Sequence, residues 1–284
     1  MTSLGVVFRP QSPPEQLRAV VEAADAAAAA GAVDELWFWE DCFLEGGLTQ
    51  AALALAWSSR LRVGIGLLPV PLRNPAVVAM EAATLARAFP GRLVLTLGHG
   101  VQDWMAQVGA RPASPMALLR EHTTAVRDLL AGERVDADGD HVRLDGVALD
   151  WPPAAPPTLL LGARGPRTLR LAGELADGVV LDAQACAEPD AVREARATVQ
   201  AGRDDAGRPG ATHVTCYVQV GAAEVSAERV GERVRTFADA GGDTVVLQSD
   251  GDAPDPRPLL DALTALAADG HDPRRSAVAG GADG

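Results

Sequence analysis

The chain has 284 residues, 48% of them apolar, and a formal net charge of −13, so it is long enough to bury the core of one large α/β domain or of two small ones. The charge disfavours polyanionic nucleic acids as partners. The sequence holds no lysine, which excludes Schiff-base aldolases and the usual pyridoxal phosphate enzymes, because both need an amine nucleophile.

Neither a secretion signal nor a membrane span is indicated. The first residues lack a basic segment followed by a long apolar one, and no apolar run reaches the roughly 20 residues that cross a bilayer. We therefore expect a cytoplasmic protein without a membrane partner. The cysteines, Cys42, Cys186 and Cys216, are widely spaced, so neither a disulfide framework nor a zinc site is expected.

Short apolar runs alternate along the chain with amphipathic or alanine-rich stretches, which predicts strands and helices in turn. The predicted strands span Leu4–Phe8, Glu35–Trp39, Leu61–Leu67, Arg92–Leu97, Thr158–Gly162, Gly178–Leu181, Val214–Val220 and Thr244–Gln248. The predicted helices span Pro14–Ala30, Thr49–Ser58, Pro75–Ala88, Pro115–Ala131, Pro166–Leu175, Pro189–Ala206, Ser226–Ala240 and Asp255–Ala268. Strands that are each followed by a helix predict a (β/α)8 TIM barrel, with an open doubly wound sheet as the alternative.

One segment interrupts this alternation. Residues 134–150 predict a small β-hairpin with a Gly-Asp tip, inserted before the fifth strand. The segment superficially resembles a calcium loop, but His141 and Val147 occupy the positions that need glycine and glutamate, so no metal site is expected. The sequence thus predicts a single domain over residues 1–269 and a flexible tail over residues 270–284.

The turn after the fifth predicted strand is the most informative one. It reads Gly162-Ala163-Arg164-Gly165-Pro166. Glycines end the strand and a proline lies in the first turn of the helix, so backbone N–H groups and the positive end of the helix dipole face one point. Arg164 or Arg167 can add a charge-assisted contact to an anion. The second glycine turn, Gly98-His99-Gly100, lets a flat ligand approach the backbone, and the two turns together predict a phosphorylated cofactor.

The chain resembles the luciferase-like monooxygenase superfamily in four segments, which keep the family's order and spacing over nearly the whole length. They are Leu-Trp-Phe-Trp-Glu-Asp-Cys-Phe from Leu36, Arg-Val-Gly-Ile-Gly-Leu-Leu-Pro from Arg62, Arg-Leu-Val-Leu-Thr-Leu-Gly-His-Gly from Arg92, and the Gly-Ala-Arg-Gly-Pro block from Gly162. The resemblance implies a luciferase-like TIM barrel that binds coenzyme F420, a deazaflavin, with FMN as the alternative. It also implies a homodimer that forms through the early helices.

The same resemblance implies where the cofactor binds. Gly66-Leu67 matches a cis peptide bond in a bulge behind the flavin ring, and Gly98-His99-Gly100 matches the loop beside that ring. The turn from Gly162 to Pro166 matches the phosphate site. His99 is expected to hydrogen-bond the ring edge or to transfer a proton, since imidazole titrates near neutrality, although a structural role is the alternative.

Relatives also carry a carboxylate and a histidine after strand two. That histidine is absent here, and Asp41 is the expected catalytic carboxylate, although an alignment from the preceding tryptophans selects Glu40 instead. A carboxylate at this place can accept a proton or fix the ring. The residues expected to line the substrate pocket are Trp39, Cys42 and Trp104.

The implied function is hydride transfer between the deazaflavin and a small organic substrate, for which the protein supplies orientation and exclusion of water. Val101 stands where the sugar-phosphate-oxidising branch has an acid, so that substrate is not expected. Three alternatives stay open: an FMN-dependent monooxygenase that uses oxygen, a non-catalytic cofactor-binding relative, and a phosphometabolite barrel that binds neither cofactor.

Overall fold

The computed structural model describes residues 2–251 and 254–270. Within them, eight parallel strands form a closed barrel in the order β1, β2, β3, β4, β7, β8, β9 and β10, and β10 pairs with β1. The strands are β1 Ser3–Phe8, β2 Glu35–Phe38, β3 Arg62–Pro69, β4 Leu93–Gly98, β5 Val135–Asp138, β6 Arg143–Val147, β7 Thr158–Gly162, β8 Gly178–Leu181, β9 His213–Val220 and β10 Thr244–Ser249. The predicted TIM barrel is confirmed.

Helices surround the barrel in the predicted alternation. They are α1 Leu17–Ala29, α2 Gly47–Trp57, α3 Pro75–Ala88, α4 Gln102–Gln107, α5 Pro115–Leu130, α6 Pro166–Leu175, α7 Pro189–Asp205, α8 Ala227–Asp239 and α9 Arg257–Ala268. The sequence did not predict α4, because this short helix buries only Met105 and has no apolar repeat. None of the helices in the described ranges is long and apolar enough to cross a bilayer.

The segment before the fifth barrel strand folds as an antiparallel hairpin of β5 and β6. Glu121 of α5 accepts hydrogen bonds from the N–H groups of His141 and Val142, at 2.9 and 2.8 Å, so the hairpin tip is held against that helix. The predicted tail lies outside the described residues, apart from Gly270.

Polar groups close the amino-terminal end of the barrel. Glu35 is buried at the start of β2, where its carboxylate accepts the Trp37 indole N–H at 2.8 Å and pairs with Arg62 at 2.9 Å. Burial raises the pKa of Glu35, and Arg62 opposes that shift. Because buried charges persist only when they are paired, Arg62 and Trp37 provide the partners that the Glu35 carboxylate needs at this end of the barrel.

Helices α6 and α7 approach each other through two glycines. A Cβ atom added at Gly173 would overlap the backbone carbonyl of Val199, and one added at Gly202 would overlap that of Arg170. The N-terminus of α6 carries the predicted phosphate turn, so this close crossing also fixes the position of that turn.

We expect Gly173→Ala to lower the free energy of unfolding by about 1–3 kcal/mol, because the added methyl group meets backbone that cannot rotate away. Gly231→Ala in α8 is the matched control, since its Cβ would meet only the ends of the Arg235 and Leu266 side chains at 3.3 Å. Both variants gain the same helix propensity. Urea unfolding curves measure the difference, and equal stabilities would contradict the close crossing.

His122 is a buried histidine on α5. Its Nε2 donates to the carbonyl of Arg73 at 3.1 Å. Burial lowers the pKa of His122 from 6.5 to about 4, so the ring is neutral in the folded protein at neutral pH.

Acid should therefore destabilise the fold through His122. Between pH 6.5 and about 4 the unfolded chain binds a proton at this residue and the folded chain does not, so stability falls as the pH falls through that window. Between pH 7 and pH 4, we expect the free energy of unfolding of wild type to fall by up to about 3 kcal/mol more than that of His122→Gln. Urea unfolding at both pH values tests this, with His141→Gln on the hairpin as the control. Parallel losses in wild type and His122→Gln would refute it.

Candidate active site

A cavity of about 720 Å³ opens at the carboxyl ends of the barrel strands, where active sites of this architecture lie. The segments that follow β2, β3, β4, β7 and β8 form its wall, together with Tyr217 of β9 and Gln248 of β10. Residues singled out from the sequence that line it are Trp39, Glu40, Asp41, Gly66, Leu67, His99, Gly100, Val101, Trp104, Gly162, Ala163, Arg164 and Gly165. The two glycine turns and the segment after β2 therefore meet in one place.

Four other predicted site residues, Gly98, Pro166, Arg167 and Cys42, do not line this cavity. Gly98 is buried beneath Leu67, and Pro166 is the first residue of α6, behind the turn. Cys42 was expected in the substrate pocket, but the wall after β2 is formed by the residues before it. Burial, together with the negative charges of Glu40 and Asp41, raises the pKa of the Cys42 thiol, which keeps it protonated at neutral pH.

A bulge in β3 forms one wall of the cavity. The pairing of β3 with β4 shifts register between Ile65 and Leu68, and the Gly66–Leu67 peptide bond is cis, as predicted. A Cβ atom added at Gly98 or at Gly162 would overlap the Leu67 side chain. Glycines on β4 and β7 thus leave the space that Leu67 occupies at the cavity wall.

The structure separates the two candidate carboxylates after β2. Glu40 pairs through both of its oxygens with the guanidinium of Arg73, and its Oε2 also accepts the Gly47 N–H at 2.8 Å. These hydrogen bonds engage both carboxylate oxygens of Glu40 and hold the loop after β2 in place. Burial raises the pKa of Asp41, an effect that Gln11 and Arg9 partly offset. Asp41 is therefore the carboxyl group better suited to gain and lose a proton at the cavity.

His99 lies in the turn after β4, opposite α6. Its Nε2 is 3.3 Å from Oγ1 of Thr168, and the Gln102 side chain donates to the His99 carbonyl at 3.0 Å. Burial lowers the pKa of His99, and the carbonyl of Pro115 opposes the shift. The imidazole is therefore neutral at neutral pH. Gly100 closes the turn with a φ of +65°, a conformation that favours glycine.

The turn between β7 and α6 has the features of an anion site. Gly165 is the N-cap of α6 and has no side chain to cap the helix, and a Cβ atom added there would meet nothing within 4 Å. In the described part of the chain, no protein acceptor binds the N–H groups of Arg164, Gly165 and Arg167. These donors and the helix dipole are therefore available to an anion.

A carboxylate orients the arginine of this turn. Asp182, after β8, accepts the Nε–H of Arg164, while its Oδ1 accepts the N–H groups of Gln184 and Ala185 at 3.1 and 2.9 Å. Asp182 is thus held by its own loop, and it takes only the Nε end of the guanidinium. The terminal nitrogens of Arg164 remain for a ligand.

Sequence reasoning gave no role to several residues that line the cavity. They are Thr168, Gln184 and Tyr217. Tyr217 is the chain's only tyrosine, and its ring stacks on Trp39 with centroids 6.2 Å apart, which the sequence does not reveal. Thr168 lies three residues after Gly165, and the first turn of a helix at a predicted anion site is a signal that could have found it. Gln184 follows no recognisable pattern.

Comparisons with known proteins agree with this architecture. A family model described as "Luciferase-like monooxygenase" matches residues 2–279. The 5,10-methylenetetrahydromethanopterin reductase of Methanolobus tindarius is 31% identical over 206 residues, which cover 72% of this chain and 62% of that protein. The F420-dependent glucose-6-phosphate dehydrogenase of Nakamurella multipartita is 35% identical over 131 residues, which cover 44% and 38% of the two chains.

A solved structure extends the likeness over the whole barrel. It is an F420-dependent secondary alcohol dehydrogenase in complex with an F420-acetone adduct, and it superposes with a TM-score of 0.82. The alignment covers 97% of this chain and 100% of that one at 19% identity. This structural likeness concerns the fold.

Proposed function

The chain belongs to the luciferase-like monooxygenase family, and on that premise we propose that it is an oxidoreductase that uses coenzyme F420 for hydride transfer to or from a small organic substrate. One observation carries the proposal: the anion turn at Gly162–Gly165 opens into the same cavity as the β3 bulge and the His99 turn. Similarity to the F420-dependent glucose-6-phosphate dehydrogenase above, whose name specifies this coenzyme, supports the choice of coenzyme.

The residues present fit this coenzyme. The unpartnered N–H groups around Gly165 and the open space at its Cβ suit a phosphate group. The cavity of about 720 Å³ has the size of sites that enclose ligands of this kind. Gly162 to Gly165 would hold the phosphate, with Pro166 starting the helix behind it, and Gly66, Leu67, His99 and Gly100 would hold the ring system. When bound, the deazaflavin supplies a two-electron hydride donor or acceptor.

The side chains of this protein then have distinct tasks. Asp41 holds or releases the proton that accompanies oxidation or reduction of the substrate, which its raised pKa favours. Neutral His99 lies beside the place of the ring system, and Thr168 orients its imidazole through Nε2. Trp39 and Trp104 restrict water at the cavity.

A fluorescence titration of the coenzyme-free protein tests the proposal. We expect tight binding of F420 and weak binding of FMN. The opposite preference would favour the FMN-dependent monooxygenase, and binding of neither would refute the anion-site assignment and favour the phosphometabolite barrel. Binding of F420 without turnover of any substrate in a broad panel would favour the non-catalytic relative.

We also propose a homodimer that forms through α2 and α3. Leu53, Val77 and Met80 are apolar side chains on these helices that are 38%, 42% and 55% exposed, and apolar groups of this size at a surface suit an interface. Light scattering after gel filtration should give a dimer mass for wild type and a monomer mass for Met80→Asp. A monomeric wild type would refute the proposal. Location in the cytoplasm stays a prediction.

A further inference from the structure

We propose that the substrate of this site is an uncharged organic molecule, an alcohol or a carbonyl compound that carries neither a carboxylate nor a phosphate. The inference rests on the proposed function, because it concerns the part of the cavity that the coenzyme leaves to the substrate. Two features support it: the charges of the side chains around the cavity, and a neutral hydrogen-bonding group and apolar side chains that line it.

Two arginines near the cavity are already paired with carboxylates. Arg164 donates to Asp182, and Arg73 donates both of its terminal nitrogens to Glu40. Among the described residues that line the cavity, Arg164 is the one arginine, and it lies in the phosphate turn. Since the chain has no lysine, no lysine ammonium group can bind an anion in the part of the cavity that is left to the substrate.

The remaining positive charge nearby, that of Arg9, lies outside the cavity lining. Arg9 donates to the carbonyl of Ser249 at 3.0 Å, and its guanidinium carbon lies 5.6 Å from the centroid of the Trp39 ring. From its place behind Trp39, outside the lining, Arg9 lowers the pKa of Asp41 against the effect of burial. His99 is neutral at neutral pH because burial lowers its pKa. Among the described residues that line the cavity, an anionic substrate would therefore find no cation outside the phosphate turn.

Such an anion would lose its water and lie near the Asp41 carboxyl without compensation, which is strongly unfavourable. An uncharged oxygen meets better partners. Gln248 is a neutral group at the cavity, 7% exposed, and its side-chain amide can both donate and accept a hydrogen bond. Leu67, Val101 and Trp104 add surface that suits the apolar part of a neutral molecule.

The test compares ketones that differ in charge but hardly in shape. We would titrate the F420-loaded protein by calorimetry with 4-acetylbenzamide and 4-acetylbenzoate, and with 4-oxocyclohexanecarboxamide and 4-oxocyclohexanecarboxylate. Each carboxylate should bind at least about tenfold more weakly than its carboxamide. In Val101→Arg, the ratio of the carboxylate to the carboxamide dissociation constant should fall to about threefold or less. Val101 lines the cavity and is 46% exposed, so a guanidinium placed there can reach both water and ligand. Val101→Leu is the control and should keep the wild-type ratio.

The outcomes separate the inference from the function on which it rests. Loading with F420 is measured first, and failure to load would refute the proposed function. If F420 loads, carboxylates that bind as tightly as their carboxamides would overturn the inference and leave the function standing. Binding of no member of either pair, or an unchanged ratio in Val101→Arg, would overturn it as well.

Discussion

Gly165→Asp should weaken F420 binding by about 100-fold or more, equivalent to about 2.8 kcal/mol. The new carboxylate would accept the same N–H groups at the start of α6 that the phosphate needs, and it would repel that phosphate at close range. The fold should tolerate the change, because the Cβ position is open and the backbone is extended there, with φ of −97°. Aspartate is also a preferred N-cap residue, so the coenzyme-free variant should be at least as stable as wild type.

Gly165→Asn separates charge from shape in this experiment. Asparagine fills the same volume and can cap the helix, but it carries no charge, so we expect a loss of affinity of about tenfold at most. Fluorescence titration gives both dissociation constants, and thermal unfolding confirms that the variants are folded. If the two variants bound F420 equally well, the anion would not lie at this helix N-terminus.

Asp41→Asn should lower turnover by about 10²–10⁴-fold, with F420 affinity little changed, because an amide has the shape of the carboxyl group but cannot exchange a proton. The neutral ketones described above serve as substrates with reduced F420.

The same variant also makes a prediction about stability. A carboxyl whose pKa is raised in the folded state stabilises the fold least at high pH. The variant should therefore match or exceed wild-type stability at pH 7, and any such gain should vanish below the unfolded-state pKa of 3.8.

Glu40→Gln provides the contrast that identifies the proton-transferring residue. Its carboxylate holds Arg73 and the N-terminus of α2, so its loss should appear as lower stability, since a half-buried guanidinium loses its partner. The pH profile of turnover should keep its wild-type form in this variant. If turnover in Glu40→Gln no longer fell at low pH while Asp41→Asn stayed fully active, Glu40 and not Asp41 would be the proton-transferring residue.

Much of the barrel could be predicted because its signals are local. The apolar runs that form the strands and the proline at the start of α3 are readable within a few residues, and Asn74 caps α3 locally by accepting the Ala76 N–H at 2.9 Å. Helix α4 was missed because a short amphipathic turn on a barrel loop shows no repeat. The cis bond at Gly66–Leu67 was predicted from resemblance to a family, since nothing in the local composition requires it.

The sequence by itself determined the order of strands and helices, the place of the glycine turns and the absence of lysine. Tertiary structure alone decided which carboxylate forms an ion pair, because Glu40 is paired with Arg73, a residue 33 positions away. It also decided that Arg164 is oriented by Asp182 on the next strand, and that Thr168 and Tyr217 reach the same cavity as the predicted turns. The physical reason is that backbone preference acts over a few residues, whereas charge pairing, burial and pKa depend on groups that closure of the barrel brings together.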